Sequence, residues 1–141
     1  MSEEDVELLS GVFAALLPDL PAEGLEEYLS DAVLAQYFDP AVEWVPVAQG
    51  VLAVNEYRGY EGTRRFWSDF LSMWDECTVQ PERLTDTGSG VAATIRLRAR
   101  THDLEVDEVW SALFEVRSGK IVRVRAFTSP RGAEEAAGKA G

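Results

Sequence analysis

The sequence predicts an α+β fold in which one curved, mostly antiparallel sheet wraps around helices. Two observations lead to this class. In the first half of the chain, apolar residues recur at helical spacing, so Trp67, Phe70, Leu71 and Trp74 share one helical face. From Cys77 onward, apolar residues recur at every second position, as they do in half-buried strands. Helices followed by a meander of long strands are typical of α+β domains.

Four helices are expected before the strand-rich half. An apolar stripe over residues 2–17 predicts the first helix, and Pro18 ends it. Two shorter helices are expected at 22–30 and 32–38, where turn-forming residues bound each apolar segment. The aromatic helix is expected at 63–74, after a loop at 57–62 that Gly59 and Gly62 mark.

Strands are expected where apolar and polar residues alternate. They cover 42–45, 77–85, 91–101, 104–116 and 121–128. Pro81 interrupts the second of them, which predicts an edge or bulged strand, because proline cannot donate to the ladder. The segment 49–56 is compatible with either a short strand or a loop.

Alternation also assigns the two faces of each strand. The inner face takes Trp44, the odd positions of 91–101 and the even positions of 104–116. On the last strand the inward set is Val122, Val124, Ala126 and Thr128. The outer face carries a band of five arginines, namely Arg96, Arg98, Arg100, Arg123 and Arg125.

Length and charge limit the function classes. The chain has 141 residues and 46% hydrophobic residues, which suits one globular domain followed by a short polar tail at 131–141. Its net charge of −12 disfavours binding to nucleic acids and to anionic membranes. No apolar run is long enough for a membrane helix, and the acidic N-terminus does not resemble a signal peptide, so a cytoplasmic location is expected.

Cysteine and histidine are each present once, as Cys77 and His102. One cysteine cannot form an intrachain disulfide, and the pair is too few for a zinc site of the usual ligand set. Neither a metal nor another cofactor is therefore expected.

Three segments occur in order along the chain: FDPAVEW at 38–44, YRGYEGTRRF at 57–66 and GKIVRVR at 119–125. Together they resemble the SnoaL-like branch of the nuclear-transport-factor-2-like superfamily, over about residues 8–128. The resemblance implies a domain over 1–130 with the shape of a cone-shaped barrel, in which a strongly bent sheet and helices enclose an apolar pocket. It also implies that dimers through the outer face of the sheet are common.

The resemblance also implies catalytic positions, and this chain departs from them. In ketosteroid isomerase relatives the base position falls on Trp44 and the tyrosine donor near Val12, and neither residue can move the proton. In limonene-epoxide hydrolase relatives, the two aspartates and the arginine fall on Leu97, Ala99 and Ala126. All three are apolar, so that chemistry is lost as well.

The cyclase route of the family pairs a pocket histidine with an aspartate. Here His102 is expected in an exposed turn, and the acid position again falls on Ala126. Glu108 is the one carboxylate left on the inner face, where an acid among apolar residues suits a general acid or base. The alternative is a structural acid paired with an arginine or a tyrosine.

Ten residues are expected to line the pocket or its rim. They are Trp44, Tyr57, Tyr60, Trp67, Phe70, Trp74, Leu97, Trp110, Phe114 and Ala126. Each aromatic side chain is compatible with core packing as well as with ligand contact. The sequence thus predicts a protein that binds a small hydrophobic molecule, with polycyclic compounds among the candidates. The alternative is an isomerase, cyclase or dehydratase that uses Glu108.

The outer face predicts an interface between two copies of the chain. Val109, Leu113 and Phe127 supply apolar surface between the arginines, and acidic residues lie beside them. A solvated sheet face with modest cross-strand charge pairs is the alternative.

Overall fold

The structure, a computed structural model, describes residues 2–15, 24–46, 57–88, 90–127 and 129–140. Its elements in chain order are α1 (Ser2–Ala15), α2 (Leu25–Tyr28), α3 (Asp31–Leu34), β1 (Phe38–Pro46), β2 (Tyr57–Arg58), α4 (Gly59–Leu71), β3 (Glu76–Asp86), β4 (Gly90–Thr101), β5 (Leu104–Arg117), β6 (Lys120–Phe127) and α5 (Gly132–Ala140). The α+β class is confirmed. None of the described helices is long and apolar enough to cross a membrane. Segment 49–56 lies outside the described residues.

The six strands form one sheet in the order β2-β1-β6-β5-β4-β3. Neighbouring strands are antiparallel except β1 and β6, which run parallel. The sheet is curved but open, with β2 and β3 at its edges, so helices rather than strand pairing complete the enclosure. Pro81 lies at a register shift in the edge strand β3, where its missing N–H leaves no ladder bond unmade.

Phe38 lies at the start of β1, which corrects the expectation that it ends a helix. The third helix begins after Ser30, whose hydroxyl caps it by accepting a hydrogen bond from the Val33 amide, and it ends at Leu34. The next proline, Pro40, lies inside β1 in the stretch where the register with β6 shifts. A strand can therefore pass through this proline because the ladder is already interrupted there.

The predicted inner face is confirmed on β4 and β5, where Ile95 pairs with Trp110 and Leu97 with Glu108. On β6 the alternation slips, because a bulge sets Val122 as an extra residue opposite β5. Ile121, and not Val122, is therefore the fully buried residue at the start of this strand. Thr128 lies outside the described residues.

Two helices supply most of the inner cover. The N-terminal helix α1 packs on β3 and β4, and α4 packs on β1 and β2. Phe13 of α1 meets Phe114 of β5 edge to face at 5.8 Å, which joins this helix to the middle of the sheet. The apolar core therefore lies between the four N-terminal helices and the inner face of the sheet.

The C-terminal tail forms α5, which packs on the outer face of the sheet. Ala133 and Ala137 are buried there against Ala92 and Leu113, with Phe127 partly buried beside them. Alanines let a helix lie close to a sheet, so α5 covers the apolar centre that we expected a second copy to contact. A homodimer through the uncovered rest of this face stays a prediction, and a monomeric mass in solution would contradict it.

Carboxylates neutralise the basic band within the same face. Its pairs are Arg96–Asp107, Arg96–Glu82, Arg98–Asp107, Arg100–Glu76, Arg123–Glu115 and Arg125–Glu115. The hydrogen bonds from Arg96, at 2.9 and 3.2 Å, hold the pKa of Asp107 below its usual range. Pairs between exposed side chains stabilise a sheet little, and because four carboxylates pair with the five arginines, the band keeps little net charge for a phosphate.

Ser111 joins α5 to the sheet. Its buried hydroxyl donates to the Ser129 carbonyl oxygen at 2.7 Å and accepts from the Ala133 amide at 2.9 Å. We therefore predict that Ser111→Ala lowers the free energy of unfolding by about 1–3 kcal/mol, because the buried Ala133 amide loses its partner. Urea denaturation measures the change. Ser72→Ala, which removes an exposed hydroxyl, is the control and should stay within about 0.5 kcal/mol of the parent. A Ser111→Ala protein as stable as that control would contradict the role.

Candidate functional site

Strand β2 leads directly into α4, which frames the site, so the segment 57–62 that we expected to be a loop is instead β2 and the first turn of this helix. Gly59 opens α4 at a φ of +73°, a left-handed conformation that favours glycine. A side chain at Gly62 would place its Cβ 2.8 Å from the carbonyl carbon of Tyr57. Glycine at these two positions therefore lets the helix turn closely onto the sheet, and the turn directs the aromatic face of α4 inward.

A buried hydrogen-bond chain ties β1 to α4. The indole Nε1 of Trp44 donates to the Thr63 hydroxyl at 2.8 Å, and that hydroxyl donates to the Gly59 carbonyl oxygen at 2.9 Å. Trp44 and Thr63 are 4% and 1% exposed, so neither group exchanges its partner for water. The polar edge of the indole is thus held on the helix side, which leaves its ring for the cavity.

The two tyrosines expected at the pocket mouth belong to the frame. Tyr57 is buried and donates its hydroxyl to Asp69 at 2.8 Å, and Tyr60 donates to the Phe38 carbonyl oxygen at 2.9 Å. Desolvation raises the pKa of Tyr60, which keeps its phenol protonated and donating. Neither ring lines the cavity described below, and their hydroxyl groups hold the junction of β2 and α4 in place.

The inner cavity has a volume of about 80 Å³ and lies between α4 and the inner face of the sheet. It is lined by Trp44, Phe66, Trp67, Phe70, Val79, Ile95, Leu97, Trp110, Ser111, Ala112, Phe114, Val124 and Ala126. Seven of the ten expected lining residues are among them; Tyr57, Tyr60 and Trp74 are not. The volume is well below the roughly 300–1,000 Å³ of drug-sized pockets, so a polycyclic ligand does not fit the walls as they stand.

Larger hollows lie on the surface but lack comparable walls. One of about 1,040 Å³ runs between the short helices and α4, where charged side chains such as Glu27 and Arg65 line it. Another of about 580 Å³ lies along α1 and β3. Both are open grooves, whereas the inner cavity is the one that the aromatic face of α4 encloses.

Edge-to-face ring contacts build the aromatic wall. Trp67 stands nearly perpendicular to Trp44, Phe66 and Phe70, at centroid distances of 5.8, 5.3 and 5.9 Å. Trp110 reaches across from the sheet and meets Phe70 at 6.2 Å and 71°. Such pairs stabilise beyond their buried area, by about 0.5–1.5 kcal/mol each, so the wall is well ordered.

Among the described lining residues, no side-chain acid or base faces the cavity. The hydroxyl of Ser111 is turned to the outer face, where Ser129 and Ala133 occupy it. The indole nitrogens of Trp44 and Trp110 bind Thr63 and Glu108. The cavity can therefore exclude water and hold an apolar surface, but it lacks a built-in proton donor or acceptor.

Glu108 lies at the rim and not in the wall. It shares the inner face with Leu97, as alternation predicted, yet it is exposed. This end of the β4–β5 hairpin projects beyond the helices, as the 56% exposed Leu104 also shows. The Glu108 carboxylate accepts a 2.7 Å hydrogen bond from the Trp110 Nε1. The expectation of a desolvated carboxylate is therefore wrong, and its partner is a tryptophan rather than an arginine or a tyrosine.

Other reactive residues do not assemble into a site. His102 is exposed in the turn between β4 and β5, as expected. Burial raises the pKa of the Cys77 thiol to about 11, so it is not an activated nucleophile at neutral pH. No group of three metal-ligating side chains occurs within the part of the chain that the structure describes.

Five apolar lining residues were not anticipated, namely Phe66, Val79, Ile95, Ala112 and Val124. Four of them lie on strands, at positions that alternation either assigned to the inner face or did not assign. The strand pairing would have been enough to identify them as lining residues. Phe66 precedes the predicted stripe by one residue. Its position shows that the inward face of α4 is wider than the four residues used to detect it.

The SnoaL-like domain family matches residues 22–124 of the chain. The chain belongs to this family. A comparison with curated proteins gives no significant match. The family match confirms the resemblance and covers α2 to α4 and most of the sheet, whereas α1 lies before it.

Solved structures share the fold over nearly the whole chain. A nuclear-transport-factor-2-like protein of unknown function from Burkholderia pseudomallei superposes with a TM-score of 0.69, at 14% identity, covering 92% of this chain and 93% of that one. TerC co-crystallised with polyporic acid superposes with a TM-score of 0.67 at 16% identity, covering 96% of this chain and 98% of that one. A protein with a ketosteroid isomerase-like fold from Catenulispora acidiphila DSM 44928, in complex with trimethylamine, superposes with a TM-score of 0.64 at 15% identity, covering 94% of this chain and 92% of that one. At these identities the likeness establishes the fold alone.

The raised pKa of Cys77 predicts a measurable reactivity profile. The alkylation rate of the native protein with iodoacetamide should rise about tenfold per pH unit between about pH 8 and 10, because the thiolate fraction is still far from saturation. When the same protein is unfolded in urea, the alkylation rate should level off above the ordinary thiol pKa of 9.0. A native profile that levels off with the unfolded one would contradict the burial of this thiol.

Proposed function

We propose that this protein binds a compact, apolar small molecule in the inner cavity and does not catalyse a reaction by the established routes of its family. The observation that carries the proposal is the composition of the wall. Aromatic and aliphatic side chains surround about 80 Å³, and the polar groups of Trp44, Trp110 and Ser111 in the lining are bonded elsewhere. Such a wall gains from excluding water and from contact with an apolar ligand.

Two features separate a binding cavity from a packing defect. Natural interiors are close-packed and keep few voids larger than a water molecule, so a void of this size lowers stability unless something fills it. In addition, the void lies beside Trp110 and Ala126, which are only partly buried, so it lies next to solvent. Proteins of the same fold crystallised with polyporic acid and with trimethylamine support small-molecule binding by this fold.

Catalysis that uses Glu108 is the second candidate. One observation favours it: the carboxylate bonds to Trp110, whose ring lines the cavity, so it lies one side chain away from a bound ligand. A ligand whose carbonyl end emerges at the rim could lose a proton from the neighbouring carbon to this exposed acid. That chemistry would suit an isomerase, a cyclase or a dehydratase.

Binding can be read from the tryptophans themselves. The chain has four; Trp44, Trp67 and Trp110 line the cavity and Trp74 does not. Titration with benzene or toluene should shift the indole N–H signals of the first three in a nitrogen-15 spectrum, and leave that of Trp74 least affected. A screen that moves none of these signals would overturn the proposal.

Filling the cavity should abolish binding. Ala126→Leu places a larger side chain in the void, so affinity for the bound aromatic should fall by roughly tenfold or more while the fold is kept. Ala32→Leu makes the same chemical change at an exposed position of α3 and should bind like the parent. Circular dichroism checks both folds. Equal affinity of the Ala126→Leu and Ala32→Leu proteins would place the ligand elsewhere.

Proton exchange separates the two candidates without knowledge of a substrate. Cyclohexanone in D₂O exchanges the hydrogens next to its carbonyl when a base is positioned against them. We expect the protein to leave this exchange at the buffer rate. Acceleration that Glu108→Gln abolishes and Glu105→Gln retains would establish the catalytic alternative, since Glu105 is an exposed acid of the same strand on the other face.

A further inference from the structure

We propose that the ligand of the inner cavity is a small alkylammonium cation, in which methyl or methylene groups surround a positively charged nitrogen. This inference rests on the proposed function, because it names the ligand class of the same cavity. The argument for it combines the kind of wall, the size of the void and the sign of the nearby charge.

The wall is aromatic on several sides. Three tryptophans and three phenylalanines contribute to it, namely Trp44, Trp67, Trp110, Phe66, Phe70 and Phe114. The face of an aromatic ring carries negative potential and attracts a cation within about 6 Å of its centroid, and tryptophan does so most strongly. Because the void is only about 80 Å³, a ligand inside it touches opposite walls at once and lies within this distance of more than one ring.

Size selects the kind of cation. A hydrated metal ion or a guanidinium group would leave bound water or charged N–H donors without partners among these walls, because no described polar side chain faces the void. An ammonium nitrogen covered with methyl groups has a diffuse charge and an apolar surface. It therefore loses little hydration and keeps the apolar contact that the wall offers.

Charge favours a cation over a neutral molecule of the same shape. The lining contains no lysine or arginine among the described residues, and the chain has a net charge of −12. The Glu108 carboxylate lies at the rim and accepts a 2.7 Å hydrogen bond from the Trp110 indole. A charge-assisted bond of this kind polarises the indole toward greater electron density, which strengthens its attraction for a cation. The same carboxylate would repel an anionic ligand.

A pair of ligands with one shape tests the charge directly. Choline and 3,3-dimethylbutan-1-ol differ in that a carbon atom replaces the charged nitrogen. We expect choline to bind roughly tenfold more tightly, measured by calorimetry and by the shifts of the tryptophan indole signals. Equal affinities would overturn the cation preference and leave the cavity-binding proposal standing. Binding of benzene without binding of choline would overturn it in the same way, whereas no binding by any of the three compounds would overturn both proposals.

The role of Glu108 gives a second test that does not depend on the aromatic wall. Glu108→Gln removes the charge of this side chain and keeps its shape. It should lower the affinity for choline at least threefold more than it lowers the affinity for 3,3-dimethylbutan-1-ol. Glu105→Gln removes an equal charge on the outer face of the same strand and should leave the preference for choline within about twofold of the parent. Equal losses of both ligands in Glu108→Gln would mean that the carboxylate only supports the Trp110 ring, and would contradict its role in selecting charge.

Discussion

The hydrogen bond from the Trp44 indole to the Thr63 hydroxyl is the constraint on which the inner cavity depends. It joins the strand β1 to the helix α4 across 19 positions of sequence, and both side chains are buried. A buried donor left without a partner costs more than the bond gains, so strand and helix are held in one relative position. Gly59 and Gly62 make that position possible by bringing the start of α4 onto the backbone of β2.

Everything chemical about the cavity follows from this frame. With its nitrogen held by Thr63, Trp44 turns a purely apolar surface to the inside, and Trp67 packs against it at right angles. The polar residues that the frame needs, such as Tyr57 and Asp69, satisfy each other behind the wall. Leu97 and Ala126, where the sequence resemblance implied catalytic residues, are apolar and belong to the same wall.

The sequence predicts the fold and most of the wall because both depend on local periodicity. Strict alternation places Leu97 and Trp110 on the inner face, and the register confirms that placement. Periodicity does not report how far an element extends beyond its neighbours, so it placed Glu108 on the correct face but not in the exposed end of its hairpin. It fails again at the β6 bulge, where one extra residue exchanges Val122 for Ile121. The burial of α5 could not be predicted either, because its alanines carry a weak apolar signal and the contact depends on Ser111, which lies on β5.

Xenon provides the most direct measurement of whether the wall encloses accessible apolar space. A genuinely apolar void takes up such atoms, whereas a filled core or a water-filled polar site does not. In a crystal held under xenon pressure, we predict an anomalous peak between α4 and the sheet, bounded by Trp67, Trp110 and Ala126. The Ala126→Leu protein under the same pressure should lack the peak. A parent crystal without xenon at this position would contradict the claim that the aromatic frame encloses a binding cavity.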